Sequence, residues 1–186
     1  MKVNKKDIPV VILCGGMGTR IRDVNENIPK PMLPIGGRPI LWHIMKIYSH
    51  YGFNDFILSL GYKGDVIKNY FYHYDFYNND FNIDLSSKKI TFFKKNKEND
   101  WRVTLIDTGL NTLKGARIKR LENYLTDYTN MVTYGDGVAN INIGELLKFH
   151  KSHGKILTIT GVHPPARFGE VIEKENVVQQ FKEKPQ

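Results

Sequence analysis

The chain has 186 residues, 41% of them hydrophobic, which suffices for one sizeable core, and no stretch approaches the ~20 consecutive apolar residues of a membrane span. The opening MKVNKKDIPV lacks the apolar core of a signal peptide, and Cys14 as the only cysteine excludes an internal disulfide or a cysteine-rich zinc site, so a single cytoplasmic domain is expected. A formal net charge of +8 favours anionic partners without choosing among nucleotides, sugar phosphates, nucleic acid and phospholipid headgroups.

In chain order, PVVILCGG reads as a buried strand running into a glycine turn, because a continuous apolar run suits a parallel strand covered on both faces. RPILWHIMKIYSHYG follows as a helix, with Leu41, Ile44, Met45 and Tyr48 at helical spacing and Gly52 ending it. FNDFILSLG is a second strand, and DVIKNYFYHY a second amphipathic helix presenting Val66, Ile67, Tyr70, Phe71 and Tyr74. Residues 75–100, rich in Asn, Asp and Lys, read as an insertion or flap with one strand. Within it KKITFFKKNK is either a nucleic-acid patch or a solvated strand whose Phe92 or Phe93 faces the core while its lysines protect an edge. Alternation then resumes: VTLIDTG strand, GARIKRLENYL helix, NMVTYGDG strand, IGELLKFHKSHG helix, KILTITGV strand, and a terminal hairpin turning near Lys174 to Asn176.

This order predicts an α/β fold with an open, mainly parallel twisted sheet and helices on both faces. Ligands in such sheets bind beyond the carboxyl ends of the strands, which gathers three polar turns on one rim: Gly15 to Arg20, Thr108 to Gly109, and Gly135 to Gly137.

The first of these turns, CGGMGTR, is neither of two familiar phosphate loops. A P-loop needs Lys then Ser/Thr after its last glycine, where Thr19 and Arg20 stand; the dinucleotide fingerprint needs glycine where Ile21 stands. What remains is a loop whose glycines let an anion approach main-chain amides, followed by a hydroxyl and a guanidinium that both donate to phosphate oxygens. The plainer alternative is a tight turn with Arg20 in a surface ion pair. Shortly after, Pro29 and Pro31 flank Lys30 and fix the direction of its backbone, which suits a lysine aimed at a phosphate better than a solvated one. Opposite charges about 4 Å apart are worth roughly 4 kcal/mol at an effective dielectric near 20. Asp136, between two glycines just past an apolar strand, leaves room for a hydrated hard cation bridging phosphates, although an isolated G-D-G is otherwise an ordinary turn.

Taken together, Gly15-Gly16-Met17-Gly18-Thr19-Arg20-Ile21 and Pro29-Lys30-Pro31-Met32 resemble the sugar nucleotidyltransferases, whose signature is G-G-x-G-T-R-L, a spacer, then P-K-P-M. GGRPILWHIMKIYS, GYKGDVIKNYF, WRVTLIDTG, GARIKR, TYGDGVA, PPARFGEV and FKEKP are similar to the branch of that family that joins CTP to glucose 1-phosphate. The resemblance runs from Val10 onward and is weak only around 75–100.

It implies a Rossmann-like nucleotide-diphospho-sugar transferase fold over residues 1–186. The implied reaction has a sugar 1-phosphate attack the α-phosphorus of a nucleoside triphosphate with no covalent enzyme intermediate. Gly15, Gly16, Gly18 and Thr19 would cradle the nucleotide, with Gly135 at the rim. Arg20 would meet the β- and γ-phosphates and Lys30 the α-phosphate, while Asp136 would hold Mg2+. Thr112 and Arg117 would contact nucleotide or substrate, and Glu183 and Lys184 the sugar hydroxyls and sugar phosphate. The resemblance further implies a homo-oligomer without nucleic-acid or membrane partners, whose product feeds the deoxysugars of bacterial surface polysaccharides such as lipopolysaccharide O-antigen.

Three departures qualify this reading. Cys14 stands where alanine is usual and reads as packing; Asn140 stands where Asp is frequent, removing one outer partner for the cation. The sequence stops at Gln186, where family members continue with more sheet and a second metal aspartate, so a C-terminally incomplete domain with weak nucleotide binding and slow or no turnover is expected. The alternatives are a uridylyl- or thymidylyltransferase for a related sugar 1-phosphate, an inactive nucleotide-sugar binding module, and a nucleic-acid binder.

Overall fold

The computed structural model describes residues 5–17, 28–93, 98, 100–162 and 169–183. They fall into two compact units, Met1–Gly144 and Glu145–Gln186.

The first unit is built on a four-stranded parallel sheet in the order β7-β4-β1-β8. β1 (Val10–Leu13) lies between β4 (Asp55–Leu60) and β8 (Met131–Tyr134), with Val10 beside both Phe56 and Met131; β7 (Arg102–Asp107) forms the outer strand against β4. A tight hairpin of β2 (Pro34–Ile35) and β3 (Arg38–Pro39) leads into α1 (Ile40–His50). Pro39 sits at the N-cap of α1, in extended backbone, and Leu41, Ile44 and Met45 are the helix's buried residues. Between β4 and β7 lie α2 (Gly64–Tyr72), α3 (Tyr74–Asn78) and an antiparallel hairpin of β5 (Phe81–Ile83) and β6 (Ile90–Phe92). α4 (Lys114–Arg120) connects β7 to β8.

Both sheet faces are apolar because the central strands alternate two buried sets. Val11 and Leu13 share a face with Ile57 and Ile106 and pack on Leu121 and Leu125, which follow α4. Val10, Ile12, Phe56, Leu58 and Leu60 point the other way and are fully buried. The connections from β1 to β4 and from β4 to β7 run outward in one direction, whereas α4 returns past β1 to β8. Right-handed crossovers therefore place α1 and α2 on one face and α4 on the other, as the strand and helix alternation predicts. The reversal of strand order falls between β1 and β8, where the loops leaving two neighbouring strands diverge and open a crevice.

Two stretches differ from the sequence expectation. Residues 75–93 hold a short helix and two strands rather than one strand, and Phe76, Phe81 and Phe92 join them in an edge-to-face aromatic cluster with ring centroids 5.2–5.6 Å apart. Phe92 is half-buried there and Phe93 is exposed; residues 94–97, the rest of the basic stretch, lie outside the described residues. The second difference is KILTITGV, which is not a strand: Ile156, Leu157 and Ile159 are exposed and the segment has no ladder partner among the described residues. Its Thr158 hydroxyl instead bonds back to His150 Nδ1 and His153 Nε2 at 2.8 Å, fastening the segment to the last turn of α5 (Ile143–His153). An apolar run reports a demand for burial, but a strand also needs a neighbour to pair with.

The second unit ends in the predicted hairpin, β9 (Glu170–Lys174) with β10 (Val177–Lys182), turning at Glu175 and Asn176, both at positive φ. Among the described residues no helix is long and apolar enough to cross a membrane.

Candidate active site

At the carboxyl ends of the strands, main-chain bonds extend the ladder and fix where each loop departs. The Cys14 N–H donates to Ser59 O at 2.9 Å, Gly135 N–H to Leu13 O at 3.1 Å, and Thr108 N–H to Leu60 O at 3.0 Å. Beyond them opens a cleft of about 640 Å³. Gly15, Gly16, Lys30, Thr112, Arg117 and Asp136 all line it, so residues spread over more than a hundred positions converge where the strand order reverses.

Lys30 opens a 3-10 turn, Lys30–Met32, in which Met32 N–H donates to Pro29 O at 2.8 Å and Leu33 N–H to Lys30 O at 3.0 Å. Pro31 and Met32 are buried and anchor the turn, leaving Lys30 half-buried at the cleft wall. Gly135 explains how the turn comes so close to β8. A Cβ there would lie 2.9 Å from Cys14 Sγ and 3.1 Å from both Leu13 O and Pro31 Cγ, so only glycine lets the ends of β1 and β8 and the proline turn meet. Asp136 follows at once, exposed to the cleft. Neither Lys30 nor Asp136 has a hydrogen-bond or ion-pair partner among the described residues, which leaves a cation and an anion available in one cavity.

Arg117 is placed differently. Its side chain, on α4, is buried, and its four terminal N–H groups are all taken: Nη1 donates to Leu60 O at 2.9 Å and Thr108 Oγ1 at 2.7 Å, Nη2 to Gly15 O and Leu110 O, each at 3.0 Å. Burial pulls its pKa below the ordinary guanidinium value, with Asp107 opposing and Arg120 adding to the shift. Gly15 is glycine for this reason, since a Cβ would stand 2.2 Å from Arg117 Nη1. Thr112 is half-buried and accepts from Arg120 Nη1 at 2.8 Å.

Cys14 is buried beneath the loop, and burial, reinforced by the Asp136 carboxylate, pushes its thiol well above the ordinary range. It stays protonated at neutral pH and fills space. Asn140 is exposed and lines a different pocket, which it shares with His43 and His50 of α1. Gly18, Thr19, Arg20 and Lys184 lie outside the described residues, and Glu183 belongs to the second unit.

The donor set suits a cation that brings its own ligands. Among the described residues no three His, Cys, Asp or Glu side chains converge, so a cage made wholly of protein is not what Asp136 belongs to. A hard cation that keeps several waters and takes phosphate oxygens needs only one or two carboxylates, and an exposed aspartate flanked by glycines offers that.

Two cleft residues escape the motif reading. Lys114, the first residue of α4, holds its ammonium 5.2 Å from the centroid of the Tyr134 ring at the end of β8. Only their shared position at the carboxyl rim could have pointed to them.

Residues 9–186 match the nucleotidyl transferase family model. The chain is 44% identical over 174 residues to a probable glucose-1-phosphate cytidylyltransferase of Bacillus subtilis and 46% identical over 176 residues to the glucose-1-phosphate cytidylyltransferase of Salmonella typhimurium, in each case over 94% of this chain and 68% of the relative. Among solved structures it is similar to HddC from Yersinia pseudotuberculosis complexed with GMP-PN, with a TM-score of 0.62 and 26% identity, covering 96% of this chain and 70% of that one. The signature loop, the proline-flanked lysine and the rim aspartate thus stand in a chain that belongs to the nucleotidyl transferase family.

Proposed function

We propose that the chain transfers the cytidylyl group of CTP to glucose 1-phosphate, forming CDP-glucose and pyrophosphate. The observation that carries this reading is the convergence in one cleft of the Gly15 and Gly16 main chain with Lys30 and Asp136, both unpartnered among the described residues, in a chain 46% identical to a glucose-1-phosphate cytidylyltransferase.

A sugar-phosphate oxygen attacks the α-phosphorus in line, the bond from that phosphorus to the bridging oxygen of the β-phosphate breaks, and pyrophosphate leaves with the electron pair. Such a displacement asks the protein for positioning and charge neutralisation rather than covalent chemistry. In this proposal the amides of Gly15, Gly16 and Gly18 receive the triphosphate with the Thr19 hydroxyl. Arg20 faces its β- and γ-phosphates, and Lys30 offsets charge building on the α-phosphate. Gly135 sets the approach of the rim, Thr112 contacts the nucleotide, Glu183 holds the sugar hydroxyls and Lys184 the sugar phosphate. A divalent cation, magnesium in this proposal, supplies positive charge to the triphosphate when bound, and Asp136 is the residue that would hold it. A homo-oligomer working in the cytoplasm and supplying surface-polysaccharide synthesis completes the reading.

Pyrophosphate release, followed with CTP, UTP or dTTP in the presence of glucose 1-phosphate and magnesium, tests it. CTP is expected to give the highest kcat/KM, even if turnover is slow. Preference for UTP or dTTP would reassign the base, and absence of both product and CDP-glucose binding would overturn the proposal.

A further inference from the structure

The loop from β7 to α4 reaches the cleft with no ladder to hold it: Asn111 and Thr112 make no main-chain hydrogen bond among the described residues. Its shape comes from side chains instead. Asp107 Oδ1 accepts the Gly109 N–H at 2.8 Å. Arg120 Nη1, from the last residue of α4, donates to Thr108 O at 2.6 Å and to Thr112 Oγ1 at 2.8 Å. One guanidinium nitrogen thus spans the loop from its start to the half-buried threonine that lines the cleft.

Gly109 is glycine on two counts. Its φ of 88° lies in the left-handed region, and a Cβ would stand 2.6 Å from Arg120 Nη1 and 2.8 Å from Thr112 Oγ1, in the space where those two atoms meet. Arg120 is exposed yet has no carboxylate partner among the described residues, so its directional donors serve this loop rather than a surface ion pair.

A guanidinium only donates. Thr112 Oγ1 therefore accepts from it, which leaves the hydroxyl proton, for which no acceptor stands among the described residues, to be given elsewhere. A cationic donor on the oxygen also polarises that O–H and strengthens the bond it gives.

We infer that Arg120 is a positioning residue: by holding the Thr112 oxygen it fixes that hydroxyl as a hydrogen-bond donor in the cleft, directed at an acceptor atom of the nucleotide. The inference rests on the proposed nucleotide site for the identity of the occupant; the rotamer of Thr112 does not depend on it.

Two measurements read the two halves. In the nucleotide-free protein, three-bond couplings to Thr112 Cγ2 are expected to report one χ1 rotamer in the wild type and rotamer averaging in Arg120→Ala. Unchanged couplings in that variant would overturn the inference. In pyrophosphate release, Arg120→Ala and Thr112→Val are each expected to raise KM for CTP by about three- to tenfold, the reach of a single hydrogen bond, and to lower kcat less. Combined, they should raise KM no further than the larger of the two alone, because both remove the same donated bond. Arg120→Lys, which keeps a donor, should recover most of the loss. KM effects that multiply in the double variant would also overturn the inference, since Arg120 would then act on the nucleotide without Thr112. Should Arg120→Ala fail to fold, Arg120→Met keeps the aliphatic stem without donors and takes its place in both measurements. If the protein binds no CTP, the proposed function falls, and the couplings still decide whether Arg120 sets the hydroxyl.

Discussion

Two cavities of the first unit make opposite use of their walls. The larger, about 830 Å³, runs along α2 and β7 and is walled by Phe71, Tyr74 and Trp101; the smaller, about 640 Å³, is the cleft at the carboxyl rim. In the larger one the inner polar groups, Tyr74 and Glu98, are satisfied by neighbours, while Asp65 and Lys68 stand at its exposed rim. Trp42 Nε1 donates to the Tyr74 hydroxyl at 2.9 Å, and Glu98 takes Lys46 Nζ at 2.7 Å. Burial, with Glu98 adding, pushes the Tyr74 hydroxyl above the ordinary phenol range. In the smaller one a lysine and an aspartate stand unpartnered among the described residues beside open main-chain amides. Size marks where helices meet a sheet edge loosely; charge beside bare backbone is what the proposed binding of an anion and its cation calls for.

The largest effect that would break this contrast lies in the cleft. Lys30→Ala and Asp136→Ala are each expected to lower kcat for pyrophosphate release by about 100- to 1000-fold, the usual range for losing one preorganised charge at a transition state. Far-UV circular dichroism should stay unchanged, because neither side chain is part of the core. Gly135→Ala comes next, since its Cβ would press on Cys14 Sγ, Leu13 O and Pro31 Cγ at once. It should cost about 1–3 kcal/mol in denaturant unfolding and depress turnover as well. Cys14 gives a pH-dependent effect. The folded thiol has a raised pKa, so its contribution is fully present below the unfolded thiol value near 8.5 and declines as pH rises above it. Wild-type stability should therefore fall between pH 8.5 and 9.5 by up to about 1 kcal/mol more than that of Cys14→Ala. The smallest effect belongs to the larger cavity. Tyr72, 84% exposed at its rim, should tolerate alanine with stability changed by less than about 0.5 kcal/mol and CTP kinetics unaltered.

Much of this contrast was legible in the sequence because the cleft is built from local devices. The apolar run at Val10, the glycines after it, the prolines around Lys30 and the glycines around Asp136 each dictate backbone geometry over a few residues. Right-handed crossover rules then bring the separate turns to one rim. What escaped the reading depends on long-range contact. The guanidinium of Arg117 meets Gly15 across 102 positions, and Lys114 meets Tyr134 only once α4 has returned across the sheet. KILTITGV misled for the same reason: hydrophobicity can be read along the chain, but a pairing partner cannot.

The central claim is that the rim cleft, not the aromatic groove, receives the nucleotide. Titrating CTP with magnesium into ¹⁵N-labelled protein tests it directly, with the Gly15, Gly16 and Asp136 amides and the Trp101 indole N–H as reporters. Saturable shifts are expected at the three amides while the indole signal of Trp101 stays in place. Shifts centred on Trp101 with the glycine amides unmoved would contradict it.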